Sequence, residues 1–220
     1  LLQYPKLEIK SIFSHLSGSD ASKFDDFSKL QVKRFQSFYN TLTSILNIRP
    51  IRHILNSNGI SRFSDFQMDM VRLGVGLYGI DGSGTLDSQL QNVSALKATI
   101  SQIKNIEANE TIGYNRSGKA EEPMRTATTS IGYADGLMRH AGNGKITVRI
   151  KGKDAPTIGN ICMDMTMIDI TNIPEAKEGD TVIIFDEQKS ITELAKQLGT
   201  ISYEVFTNIS NRVKRVYIQD

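Results

Sequence analysis

This 220-residue sequence carries few signs of a specialised environment. It has one cysteine, Cys162, which excludes an internal disulfide and fits a reducing compartment. No apolar run reaches the ~18 residues of a membrane span, and no signal-peptide pattern opens the chain. Neither sign of charge dominates. The 26 Lys and Arg against 24 Asp and Glu leave +2, dispersed rather than striped, so no nucleic-acid partner is expected. The densest basic cluster, Arg212-Val-Lys-Arg215, alternates with apolar residues and reads as the solvent side of a last strand, Arg212 to Ile218. Internal repeats and low-complexity tracts are also lacking. These absences, with an ordinary 39% hydrophobic and 23% charged composition, lead us to expect a soluble cytoplasmic protein with no membrane partner. The chain begins at Leu1 without Met, so we also expect a piece of something longer.

Hydrophobic periodicity divides the chain in two. Leu7 to Phe13 alternates and then runs apolar, like a strand entering a core, and it delivers Ser14-His15. An amphipathic helix follows from about Asp25 to Leu46, with Phe27, Leu30, Phe38, Leu42 and Ile45 near one face. Asn47 to Pro50 stops it. A short strand from Ile51 to Leu55 delivers Asn56-Ser57, and a third strand is expected over Met70 to Tyr78. Strand, helix, strand, connection, strand is the grammar of parallel βα units. In such barrels the polar residues at the strands' C-terminal ends form the site, which singles out His15, Ser57 and the Gly74 region. Asp81-Gly-Ser-Gly84 reads as a linker, placing a boundary near residue 85. Beyond it the expected strands are short: Leu96 to Ile103, Thr126 to Ser130, Ile146 to Ile150, Met167 to Ile170 and Thr181 to Phe185. Lys151-Gly-Lys153 reads as a hairpin turn. One helix, capped by Ser190 with Glu193 and closed by Gly199, interrupts them.

Three polar corners stand between the strand-forming runs from Thr111 to Asp164. They are Gly113-Tyr114, Ile131-Gly-Tyr-Ala-Asp-Gly136 and Ile161-Cys-Met-Asp164. A tyrosine between glycines reads first as a structural corner. Two of them, with a Cys-Met-Asp corner downstream, point to a site. Cys162 is a poor nucleophile candidate, because a lone Cys beside Met is usually packed.

The ordered set MVRLGVGLYG, IGYADG and GNICMDMTMID resembles the C-terminal part of the alanine racemases, and the similarity extends over essentially the whole chain. The resemblance implies an α/β plus β fold: a partial TIM-like barrel made of the last three βα units at residues 1–85, then a β-barrel-like domain at 86–220. It also implies pyridoxal 5'-phosphate in the complete enzyme, alanine as substrate, and a homodimer whose active site is composite. In that family a barrel supplies the cofactor and a lysine, and the β domain of a second subunit supplies the opposing tyrosine. Tyr114 matches that tyrosine, which exchanges the α-proton on one face while the lysine serves the other. A phenol of pKa about 10 must be tuned by neighbours to work near neutrality. His15 matches the residue that contacts the cofactor ring and this tyrosine. Arg72 matches the arginine facing the pyridine nitrogen, where a guanidinium hardly gives up a proton and so weakens the electron sink. The other reading of Arg72 is a barrel arginine paired with an acid such as Asp69. His53 matches the residue buttressing that arginine. Ser57, the amides of Gly74 and Val75, and Tyr203 match the phosphate-binding set. Tyr133, Cys162, Met163 and Asp164 match the substrate entrance and inner pocket, with the Met163 amide expected at the substrate carboxylate. No metal is implied, and His140 receives no role.

Two family segments find no match in these residues: the AVVKANAYGHG-like strand bearing the Schiff-base lysine, and the HLKIDTGMHRLG-like strand. Three strands of eight cannot close a barrel. The expectation is that this polypeptide alone does not racemise alanine. Two readings compete with the C-terminal part of a racemase serving peptidoglycan synthesis. One is a non-catalytic β module for dimerisation or partner binding, which has no need of Tyr114, Tyr133 and Asp164. The other is a racemase of another small amino acid.

Overall fold

The structure, a computed structural model, describes residue 4, residues 6–86 and residues 88–218. The chain divides into two units, Leu1–Val93 and Ser94–Asp220.

In the first unit, β1 (Ser11–Phe13) leads through a loop to the 22-residue helix α1 (Asp25–Leu46), then β2 (Ile51–His53) and the short helix α2 (Ser57–Arg62). β1 and β2 pair in parallel, with Ile12 opposite Arg52 and Phe13 opposite His53. Helix α1 stops where Asn47 takes a left-handed conformation (φ 51°, ψ 48°) and its amide bonds Thr43 O, a capping geometry that asparagine tolerates. Leu16, Val32, Phe35, Ile54, Leu55 and Phe63 form the core. The face of α1 turned to that core is Ser28, Val32 and Phe35. Phe27, Leu30, Phe38 and Ile45 are exposed, which corrects the face expected from the sequence. The apolar arc of α1 is wider than the two-stranded sheet beneath it, so only one side of the arc finds cover.

The third expected strand does not form. Met70 N bonds Arg52 O (3.2 Å) and Arg72 N bonds Leu55 O (3.0 Å), so the chain runs beside β2. Just before these bonds the Asp69 carboxylate, rather than a backbone carbonyl, accepts from Arg52 N at 2.8 Å. Past Gly74 (φ −118°, ψ −100°) the chain tightens into a 3₁₀ turn over Val75–Tyr78. A side chain in the ladder and a non-extended glycine end strand geometry at both sides of Arg72.

The second unit is built on an antiparallel six-stranded sheet of β3 (Leu96–Ile106), β6 (Met124–Thr129), β7 (Thr147–Ile150), β8 (Lys153–Pro156), β9 (Thr166–Asp169) and β10 (Thr181–Phe185). A small hairpin, β4 (Thr111–Ile112) and β5 (Gly118–Lys119), stands apart. The sheet order is β8-β7-β10-β3-β6-β9. A bridge between Thr157 and Ile168 links the end of β8 to β9, so the sheet curls into a nearly closed barrel, which removes most of its edge. Its interior is aliphatic: Ile100, Ala127, Val148, Ile150, Ile168, Val182 and Ile184 are all buried. Lys151 and Gly152, both at positive φ, form the two-residue turn between β7 and β8. Helix α3 (Ile191–Leu198) begins where Ser190 Oγ accepts from the Glu193 amide (3.1 Å), and it buries Ile191, Leu194, Ala195 and Leu198.

Two further expectations fail here. A second helix, α4 (Ser202–Asn208), follows where one helix was expected in this half, with Phe206 set edge-on against Phe185 at 5.8 Å. The alternating tail from Arg212 is not a strand, and Tyr217 is 89% exposed. Arg215 turns its guanidinium back onto the carbonyls of Ile209, Ser210 and Val213, and so satisfies locally the acceptors that a strand would offer to a neighbour.

Candidate active site

In the first unit the polar residues gather at the C-terminal ends of β1 and β2. Arg72 is their centre. Its Nη1 lies 2.8 Å from His53 Nδ1, and its Nη2 donates to Ser14 O (2.7 Å) and Ile54 O (3.3 Å) and lies 3.3 Å from His15 Nδ1. One guanidinium therefore ties the ends of two parallel strands and touches two imidazoles. Since a guanidinium only donates, His53 Nδ1 is the acceptor and its ring proton sits on Nε2. His53 stacks on Phe13 (5.2 Å, 8°), and the Arg72 guanidinium lies 5.1 Å from that ring. Asp69 pairs instead with Arg52 (2.9 Å), whose hydrogen bonds hold its carboxyl down to about 2. Arg72 is thus not a barrel arginine spent on that acid.

Burial, and after it the charge of Arg72, lowers the pKa of His53 below its ordinary 6.5. The unfolded chain then takes up this proton first as pH falls. The stability that comes from keeping His53 neutral is complete above pH 6.5 and is lost progressively below it. An NMR titration should place the His53 midpoint under 6.5, and Arg72→Met should move it upward. A midpoint at or above 6.5 would contradict this geometry.

The second strand end supplies Ser57. The amides of Gly74 and Gly76 donate to its Oγ (2.9 and 3.3 Å). The adjoining amide of Val75 has no hydrogen-bond partner among the described residues. Asn56, which the sequence reading passed over, organises this corner. Its Oδ1 accepts from Gly59 N and Ser19 Oγ, both at 2.9 Å, and its Nδ2 reaches Leu16 O and His15 Nε2, both at 3.2 Å. Its position as the cap before Ser57 was a signal available in the sequence.

In the second unit the three corners come together. Tyr114 follows Gly113 (φ 77°) and precedes Asn115 and Arg116, both at positive φ. A β-carbon on Gly113 would meet Met167 Cε at 2.8 Å. The tight loop leaves the Tyr114 side chain 68% exposed. Asn160 Nδ2 donates to Tyr114 O (3.1 Å) while its Oδ1 accepts from Asn143 (3.2 Å), so the Tyr114 loop rests on the segment that leads into Cys162. Tyr133 N bonds Cys162 O and Ala134 N bonds Met163 O, both at 3.0 Å. The Met163 amide has no hydrogen-bond partner among the described residues, and its side chain is exposed. Burial raises the Cys162 thiol above its ordinary value, which disfavours the thiolate a nucleophile needs. Tyr203 lies on α4, partly exposed rather than in the core. His140 is exposed.

Arg212 was read as a solvent-facing strand residue, yet its Nε donates to Asp135 Oδ1 (2.7 Å) and its Nη2 to Asp164 Oδ1. Burial alone would raise the Asp135 pKa, but the hydrogen bonds from Arg212 and Gly132 N outweigh it and bring it below the usual value.

Comparison with known proteins bears on both units. Residues 93–217 match the family described as alanine racemase, C-terminal domain, and residues 1–82 match the alanine racemase N-terminal domain. Alanine racemase 1 of Clostridium acetobutylicum is 40% identical over 220 residues, covering 96% of this chain and 56% of that protein. The Helicobacter pylori alanine racemase is 38% identical, covering 96% and 59%. The crystal structure of the Bartonella henselae alanine racemase with covalently bound pyridoxal phosphate superposes with a TM-score of 0.85 at 32% identity, covering 98% of this chain and 58% of that one. The Bacillus anthracis alanine racemase with bound L-Ala-P gives 0.86 at 29% identity, covering 100% and 58%. The chain therefore spans a little over half the length of the relatives it matches. With both family domains matched in order and the fold shared, the chain belongs to the alanine racemase family.

Proposed function

We propose that these 220 residues are the C-terminal part of a pyridoxal-phosphate-dependent alanine racemase, which interconverts L- and D-alanine for peptidoglycan synthesis in the cytoplasm. Residues 1–85 are the end of its cofactor-binding barrel and 86–220 its β domain. The complete enzyme works as a homodimer with composite sites. The observation that carries the reading is that each unit holds an incomplete half-site, an Arg72–His53–His15 cluster in the first and an exposed Tyr114 held by Asn160 in the second.

The residues present suit the cofactor. The Ser57 hydroxyl, oriented by the Gly74 and Gly76 amides that donate to its oxygen, and the unpartnered Val75 amide offer donors at one place, as a phosphate requires. Arg72, fixed by four contacts, would offer a permanent cation to the cofactor's ring nitrogen and so disfavour its protonation. When bound, pyridoxal phosphate supplies the electron sink that acidifies the substrate's α-hydrogen. Around it this chain's groups bind, orient and move a proton. The Met163 amide receives the substrate carboxylate, Tyr133 narrows the approach, and the Tyr114 hydroxyl holds or returns the α-proton on one face.

The exposed apolar residues of the first unit support the reading of an incomplete barrel. Phe13 on β1 is 65% exposed, and Phe27, Leu30 and Phe38 on α1 lie open to solvent. The retained Tyr114, Tyr133 and Asp164 favour a racemase over a non-catalytic module. An assay for D-alanine formed from L-alanine tests the proposal. The complete polypeptide is expected to be active, and failure of that protein to racemise alanine or another small amino acid would overturn it.

A further inference from the structure

We propose that Arg212 is a positioning residue that locks the Tyr133 corner onto the Met163 corner and compensates one of their two carboxylate charges, so that the Met163 amide stays open to an anionic substrate group. The inference rests on the racemase reading above for its substrate. Its geometry rests on this chain alone.

The two corners are zipped by two backbone hydrogen bonds, Tyr133 N to Cys162 O and Ala134 N to Met163 O. Each corner also projects one carboxylate, Asp135 from the first and Asp164 from the second. Arg212 takes one oxygen of each through two different nitrogens. A planar guanidinium holds two acceptors at a fixed separation, which a flexible ammonium does not. The free oxygen of Asp135 is not idle, because Oδ2 accepts from Gly132 N at 2.9 Å. The line of contacts thus runs from Arg212 through Asp135 into the backbone just before Tyr133. The tail carrying Arg212 is anchored in the same place, since Ser210 N bonds Asp135 O at 3.0 Å.

Charge gives the arrangement a second consequence. Without Arg212, two carboxylates would flank the residue whose amide has no partner among the described residues, and an amino-acid carboxylate approaching it would meet repulsion. With Arg212 in place, one of those two negative charges is compensated. The expected loss on removing it is therefore in substrate binding, not in the proton transfer performed at Tyr114.

Arg212→Met is read in two ways. In the 220-residue chain, amide hydrogen exchange at Tyr133 and Ala134 should quicken about tenfold while Val182 in β10 is unchanged. In the complete polypeptide, KM for alanine should rise about tenfold with kcat changed less than about twofold. Arg212→Lys keeps the charge but not the fork, and should raise KM about threefold with kcat retained. It carries the kinetic test if the Met variant fails to fold. Unchanged exchange at Tyr133 and Ala134, or an unchanged KM in an active enzyme, overturns the proposal. If the complete wild-type polypeptide shows no racemase activity, the functional reading falls, and exchange alone decides for or against the clamp.

Discussion

Tyr114→Phe should lower kcat for alanine racemisation by about a thousandfold in the complete polypeptide, within the range expected when one positioned acid–base group is lost. Its KM should change less than about threefold. The residue is 68% exposed, so folding stability should move by no more than about 0.5 kcal/mol. Racemisation needs a proton taken from one face and delivered to the other. Removing the phenol should therefore leave solvent exchange of the α-hydrogen for one enantiomer while conversion to the other is lost. Isotope exchange followed by chiral chromatography checks this. Equal loss of exchange from both enantiomers would mean that Tyr114 serves binding rather than proton transfer.

Gly132→Ala should be a strongly damaging single-methyl change in the second unit. Gly132 has an ordinary extended backbone (φ −147°), so the obstacle is space. A β-carbon there would stand 2.4 Å from the carbonyl oxygens of both Cys162 and Met163. Those are backbone atoms, and they cannot rotate away. They are also the acceptors for Tyr133 N and Ala134 N, so the clash falls on the bonds that zip the two corners. Overpacking at about 1–3 kcal/mol, with two hydrogen bonds weakened at about 1 kcal/mol each, gives a loss of about 3–5 kcal/mol. Gly152→Ala is the comparison. It sits at φ 79° with nothing within 4 Å, and should cost only the left-handed backbone term of about 1 kcal/mol. Urea unfolding of both variants measures the difference. A Gly132→Ala protein as stable as Gly152→Ala would show that the corners are not rigidly joined.

Local signals in the sequence located the elements better than they oriented them. Helix α1 runs over Asp25–Leu46, where the periodicity placed it, because a helix end is marked by local residues such as Asn47. Its buried side was misread because apolar residues span more of the helix than the two-stranded sheet can cover. Which part is buried depends on what lies opposite, and a single element does not encode that. Met70 to Tyr78 looked like a strand because Met, Val and Leu dominate it. The Asp69 carboxylate bonded to Arg52 N and the turn after Gly74 decide otherwise, and both are tertiary facts. Helix α4 was not expected, since β-branched Val205 and Thr207 lower its helix propensity and its stability comes from packing such as Phe206 on Phe185. At the site, the motif residues stood out because short polar corners between strands are conspicuous. Asn56, Asn160 and Arg212 did not, because each acts through hydrogen bonds to residues far away in the chain. Arg212 reaches Asp135 and Asp164 from a tail whose alternation reads as a strand.

We propose that this chain carries one part of the racemase site and not the lysine that joins the cofactor. Incubating the 220-residue protein with pyridoxal phosphate, reducing with borohydride and locating any adduct by mass spectrometry tests it most directly. No stoichiometric adduct on a single lysine is expected, and no D-alanine formed from L-alanine by this chain alone. A one-to-one adduct on one lysine, accompanied by racemisation, would contradict it.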